Sequence, residues 1–256
     1  MGNLAGLLAR ARRDGRQVRE PLPPALVPPD ADAGYAAAAE VAALLGWEPL
    51  GWKIAGTAEA VRARLGLAEP IHGRTFRCFA LPSPARLRHA ELLDPLVECE
   101  FFVTLARGLP ARDRAWTMAE VVAAVGEVRA GVEVAECRFP MAALPPLPAI
   151  LADGAASGRY VSGGRIEAPL DRLAGVEVVL EVDGAPKRRG AGAEVMGDPL
   201  APLLWLAEER RRLGGGLAAG ETVSTGSCTG MLPVRAGQRV RAVFGGVAAV
   251  EIEFEG

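Results

Sequence analysis

Apolar residues fall on every second position of one stretch. Val97, Cys99, Phe101, Val103 and Leu105 line one side, and Glu98, Glu100, Phe102 and Thr104 the other. That alternation predicts a strand with one face in a core. Residues 130–137 and 176–182 read as further strands, the second entering a hairpin turn at Asp183-Gly184. Residues 234–254 give two more around Gly245-Gly246, and a short apolar strand lies between Gly51 and Gly56. Helical spacing governs 3–13, which breaks at Asp14-Gly15. An alanine-rich helix runs from an N-cap at Asp32 to Leu45, stopped by Gly46. Another runs from an N-cap at Thr57 to Leu65, stopped by Gly66. Residues 118–125 and 198–212 are also helical, the latter with proline in its first turn and Arg210, Arg211 and Arg212 in its last. The proline-rich segment 21–29 must be extended. Together these elements predict an α+β fold in a single domain, 1–256. Its first 50 residues form a helical elaboration, and 51–256 a β-rich core with peripheral helices.

Half of the residues are hydrophobic, enough for a large core and too many for a disordered chain. Lys+Arg 29 against Asp+Glu 31 leaves a net charge of −2, without the basic excess of a nucleic-acid binder. Aromatics at 5% also argue against base stacking. The uncharged run 139–152 carries Pro140, Pro145, Pro146 and Pro148 and is too short to span a bilayer. Leu4, Leu7 and Leu8 precede Arg10, Arg12, Arg13 and Arg16, the reverse of a signal peptide, so an amphipathic surface helix is expected there. Cys78, Cys99, Cys137 and Cys228 have no paired spacing, which suits reduced thiols in the cytoplasm.

On a strand, Glu98 and Glu100 share one side, and converging carboxylates suit a hard cation such as Mg²⁺ or Mn²⁺. Glu251 and Glu253 have the same spacing, but there Glu255 continues a solvated face. The Glu98 face instead continues into Phe102, as a pocket wall would, and Glu133 on the next strand could add a third ligand. Lysine occurs only as Lys53 and Lys187. Where arginine serves as the general cation, a lysine among apolar residues is a candidate for proton chemistry, because it can lose its proton when desolvated. A snorkelling surface lysine is the plain alternative. The turn 225–230 is dense in hydroxyls and free N–H groups and could hold a carboxylate. Gly190-Ala191-Gly192-Ala193 lacks the spacing of a dinucleotide fingerprint. There is no Gly-x-Ser-x-Gly elbow, and His72 and His89 alone cannot build a histidine-rich zinc site.

In order along the chain stand Gly51-Trp52-Lys53-Ile54, Glu98-x-Glu100, Glu133, Asp153 through Arg159, Thr225-Gly226-Ser227-x-Thr229 and Phe244-Gly245-Gly246. In this the sequence resembles the 2-keto-4-pentenoate hydratase and 4-oxalocrotonate decarboxylase branch of the fumarylacetoacetate hydrolase superfamily. The resemblance implies a mixed β-roll core, a divalent cation on Glu98, Glu100 and Glu133, and Lys53 facing a 2-oxo or 2-hydroxy-dienoic acid. A 2-oxo acid chelates a cation through its carboxylate and 2-oxygen, and the cation stabilises the enolate. Lys53 would then shuttle a proton or donate at that oxygen, its pKa lowered by cation and apolar walls. Ser157 remains of a hydroxyl-bearing stretch that here reads Asp153-Gly154-Ala155-Ala156-Ser157. Where hydratases often carry an acid, Pro70-Ile71-His72-Gly73 has none, which is closer to the decarboxylases. His72 is the one residue that could replace that acid. The expectation is a hydratase acting on ring-cleaved aromatics, cytoplasmic and homo-oligomeric. Decarboxylation of 2-oxo-3-hexenedioate, acylpyruvate hydrolysis and a non-catalytic oxo-acid-binding member are the alternatives.

Overall fold

The computed structural model describes residues 3 to 256. Helices α1 (Leu4–Asp14) and α2 (Ala31–Leu45) precede β1 (Pro49–Ala55). Then follow α3 (Glu59–Leu65), β2 (Ile71–Phe76), β3 (Ala80–Pro82), β4 (Ala85–Arg88) and β5 (Leu96–Leu105). The middle of the chain gives α4 (Met118–Ala124), β6 (Val125–Ala135), α5 (Leu147–Ala152), β7 (Arg159–Arg165), β8 (Glu177–Val182) and β9 (Ala185–Ala191). It closes with α6 (Ala201–Arg212), β10 (Thr222–Ser224), β11 (Leu232–Pro233), β12 (Arg239–Phe244) and β13 (Ala248–Glu255).

Two mixed sheets result, giving the expected α+β architecture. The larger runs β2-β1-β10-β5-β6-β7-β3, with β11 also on β5; the smaller runs β4-β13-β12-β8-β9. Three pairings are parallel: β1 with β10, β3 with β7, and β4 with β13. The apolar face of β5 enters a core between the sheets, where Phe101 meets Phe244 edge-on at 5.4 Å. A second apolar cluster joins α1, α2 and α5 to Phe76, Cys137 and Phe139.

Several local expectations are corrected. Asp30, not Asp32, caps α2, accepting from Ala33 N; Asp32 lies in the first turn and pairs with Arg212. Thr57 does not cap α3; Ala58 holds that place without a side-chain bond, and Thr57 is buried against Gly226. The final long helix starts at Ala201 rather than Asp198. Arg12 is not on a solvated face of α1 but buried.

Candidate active site

The reverse face of β5 is buried as well, and register explains what meets there. Side chains directly opposite on paired strands share a face. Glu98 lies opposite Glu133, and Glu100 opposite Gly131. A side chain at 131 would strike the Phe102 ring at 2.4 Å, so glycine lets that ring lie over β6 as a wall. On the other side of β5, Ser224 of β10 pairs with Phe102, and Lys53 of β1 pairs with Ser224. One face therefore gathers Lys53, Glu98, Glu100 and Glu133 from three strands.

A carboxylate oxygen of each glutamate lies within 4.8 Å of the other two. Lys53 is buried, with Nζ 3.4 Å from Glu133 Oε1, and donates to the Ala155 carbonyl at 3.0 Å. Tyr160 donates to Glu133 Oε1 at 3.1 Å, and its hydroxyl lies 2.9 Å from Ser157 Oγ. Ser157 Oγ also donates to the Arg74 carbonyl at 3.0 Å, so Ser157 stands behind Tyr160. The end of β10 and the turn after it hold a carboxylate of the protein itself: the Ser224 hydroxyl and the Gly226 amide both donate to Glu100 Oε2.

Burial raises the Glu98 carboxyl, with Lys53 opposing. It raises Glu100 well above the ordinary range, helped by Glu133 and Glu98. Burial pushes Glu133 up to about 7, with Lys53 opposing and Glu98 adding. For Lys53, burial favours the neutral amine, but Glu133, Glu98 and Glu100 outweigh it and the pKa rises. The lowering expected from cation and apolar walls is thus opposed by the three carboxylates, which hold the proton on Lys53.

The residues fit a hard divalent cation. Glu133 Oε2 is buried with no hydrogen-bond partner, a free ligand atom on a residue whose carboxylate converges with two others. Fully ionised, three glutamates and one lysine sum to −2, which one dication cancels. Glu98, Glu100 and Glu133 would hold it.

His72 is not brought to this site. It pairs with Ile54, one residue out of phase with Lys53, and so points to the opposite face of the sheet. There it stacks on Tyr35 at 4.1 Å and meets Trp52 edge-on, and neither ring nitrogen has a partner. Burial, then Arg210 and Arg212, holds its pKa down to about 3, a neutral ring in the packing. Gly73 takes the position opposite Lys53, and Ile71 that opposite Ala55.

Sequence reasoning missed Tyr160, the Ala155 carbonyl and the buried pair Arg12 and Arg138. Tyr160 had one visible signal: the chain has two tyrosines, and this one closely follows Ser157. Arg138 donates from Nε to Asp153 Oδ1 at 2.8 Å, and Arg12 Nη2 lies 3.3 Å from the same oxygen.

No family model matches the chain. A 2-keto-4-pentenoate hydratase from Paraburkholderia phymatum is 31% identical over 249 residues, 96% of this chain and 94% of that protein. A 4-oxalocrotonate decarboxylase from Pseudomonas sp. strain CF600 is 31% identical over 208 residues, 80% of this chain and 77% of that one. Among solved structures, 4-oxalocrotonate decarboxylase from Pseudomonas putida G7, complexed with magnesium and adipate, superposes with a TM-score of 0.86 at 25% identity. The match covers 98% of this chain and 95% of that one. A fumarylacetoacetate hydrolase family protein from Yersinia pestis CO92 shares the fold at a TM-score of 0.61 and 15% identity, over 81% of this chain and 93% of that one. With near-full-length identity of this order added to the carboxylate face, the chain belongs to the family of the 2-keto-4-pentenoate hydratases and 4-oxalocrotonate decarboxylases.

Proposed function

We propose that the chain is a metal-dependent hydratase that adds water to a 2-hydroxy-2,4-dienoate of the 2-keto-4-pentenoate type. One observation carries the reading: a buried lysine faces three converging buried carboxylates, one with an unpartnered oxygen. Glu98, Glu100 and Glu133 would hold Mg²⁺ or Mn²⁺. When bound, the cation supplies Lewis-acid stabilisation of negative charge on the 2-oxygen of the substrate. Lys53, aimed by the Ala155 carbonyl and Glu133, donates to that oxygen or carries a proton to and from the adjoining carbon. The Phe102 ring keeps water from one side of the face, and Tyr160 and Ser157 fix the position of Glu133.

A second reading has its own support. Ile71 lies on the Lys53 side of β2, half-buried, so this position offers no acid to activate water. The same ligands would then serve decarboxylation of 2-oxo-3-hexenedioate. We place the enzyme in the cytoplasm, as a homo-oligomer, in the breakdown of ring-cleaved aromatics. Its four free cysteines suit a reducing compartment, and no helix among the described residues is long and apolar enough to cross a membrane.

The deciding experiment supplies 2-hydroxypenta-2,4-dienoate and 2-oxo-3-hexenedioate separately with excess Mg²⁺ and reads products by proton NMR and mass. The expected result is hydration of the first. Loss of carbon dioxide from the second, without hydration of the first, establishes the decarboxylase. No turnover of either while Mg²⁺ binds overturns both readings.

A further inference from the structure

Asp153 is fully buried and held by two guanidiniums where one would neutralise it. Arg138 satisfies both oxygens, donating from its backbone N to Oδ2 at 2.9 Å and from Nε to Oδ1 and Oδ2 at 2.8 and 3.0 Å. Arg12 reaches the same place from the last turn of α1. Its Nη2 donates to the Asp153 backbone carbonyl and lies 3.5 Å from the Ser157 carbonyl, while Nη1 is buried without a partner. A surplus buried cation is costly, and Arg138 already balances the carboxylate. Arg138 Nη2 also donates to the Ser157 carbonyl at 2.8 Å, and Arg12 adds the contact that Arg138 does not make, to the Asp153 backbone carbonyl where the segment 153–157 begins.

That segment needs holding. Gly154, Ala155 and Ala156 are all left-handed, with φ of 69°, 53° and 61°. Two of the three carry a Cβ, and L-residues do not keep such a run unaided. Its carbonyls are put to use: Ala155 O takes the Lys53 ammonium, and Ala156 O takes the amide of Glu136 at 3.0 Å. Ser157, which ends the run, supports Tyr160.

We propose that Arg12 is a positioning residue for the reaction: from α1 it holds the left-handed turn 154–156 so that the Ala155 carbonyl aims Lys53 at the carboxylate face. The role rests on the reading of Lys53 as the substrate-facing group. It brings the N-terminal helical segment, which contributes nothing to the carboxylate cluster itself, into the working of the site.

The scarcity of lysine makes this directly measurable. With only Lys53 and Lys187 in the chain, ¹³C-lysine labelling gives two sets of methylene signals, and exposed Lys187 serves as the mobile reference. In wild-type protein the Lys53 ε-methylene protons are inequivalent and ordered. In Arg12→Met they collapse towards those of Lys187. There kcat falls about tenfold or more, while KM and the Mn²⁺ Kd stay within about threefold. Arg12→Lys restores both order and turnover, because Arg12 makes its contacts through Nη2 and one ammonium can take that place. Should Arg12→Met fail to fold, Arg12→Gln, whose shorter neutral amide cannot span the Asp153 and Ser157 carbonyls, must show the same pattern. An unmoved Lys53 signal in a folded, active variant overturns the positioning role alone, and so does a metal affinity that falls in step with kcat. A disordered Lys53 with turnover untouched overturns the assignment of Lys53 to the reaction, and the positioning role with it.

Discussion

In the proposed reaction Lys53 is the residue on which the chemistry turns, and lysine differs from arginine there in a way that can be tested. An arginine keeps the charge beside Glu133 but cannot give up a proton near neutral pH. Lys53→Arg and Lys53→Met are both expected to lose about 10²–10⁴ in kcat, with Mn²⁺ binding retained when titrated by electron paramagnetic resonance. Recovery of turnover in the arginine variant would reduce Lys53 to a fixed charge. His72 makes the opposite case. Its folded pKa of about 3 lies below the ordinary 6.5, so its contribution is intact above 6.5 and is lost as pH falls towards 3. His72→Phe should leave kcat within about twofold and flatten that acid limb in denaturant titrations. A large kcat loss would return His72 to the mechanism. Lys53 stood out in the sequence because its neighbours are apolar and lysine is rare. His72 was a candidate because it adjoins the place of a missing acid, and the register that turns it away from Lys53 is a property of strand pairing, not of local sequence.

Among the elements, the alternating strand 96–105 was legible because one of its faces is wholly apolar, and with it came Glu98 and Glu100. The turn 153–157 was not legible. Left-handed residues are usually marked by glycine or asparagine, and here two of three are alanines, at about 1–2 kcal/mol each. The three-residue β10 was hidden for another reason: too short to show a period, it is a strand only through its neighbours. Close approach between elements gives the sharpest test. A Cβ at Gly73 would sit 1.9 Å from the Gly154 carbonyl, so β2 must be bare where the turn lies on it. Gly73→Ala should cost about 1–3 kcal/mol in urea unfolding and reduce kcat more than it reduces metal affinity. Unchanged stability would show that the turn can lift away from β2 without penalty.

For the molecule as a whole, the carboxylate face is a store of repulsion that a bound cation would release. Without metal, Glu133 titrates near 7 in the fold against about 4.5 when unfolded, and Glu98 and Glu100 shift the same way. Stability from a raised carboxyl is complete below the unfolded value and is lost as pH rises through the folded one. In chelator, the protein should therefore lose up to about 3 kcal/mol on this account between pH 4.5 and 7.5. Saturating Mg²⁺ should remove most of that slope, so the gap between the two curves widens with pH. Chemical denaturation with and without Mg²⁺ measures it, and parallel curves would mean that the three glutamates do not hold the ion. Neither the sequence nor its charge total of −2 displays this, because the charges that repel here are balanced by distant surface arginines in the sum.

The place of β10 between β1 and β5 has a consequence for biosynthesis. Lys53 pairs with Ser224, and Ser224 with Phe102, so the lysine stands beside the glutamates only when residues 222–224 have slid between two strands made long before. The carboxylates of β5 and β6 can pair while the nascent chain is still short; the lysine cannot join them until nearly all of it has left the ribosome. Contacts so distant in sequence form slowly. A stalled or truncated chain ending before β10 thus has its glutamates without its lysine, and on the proposed reading catalytic competence arrives only with the closing stretch of the polypeptide.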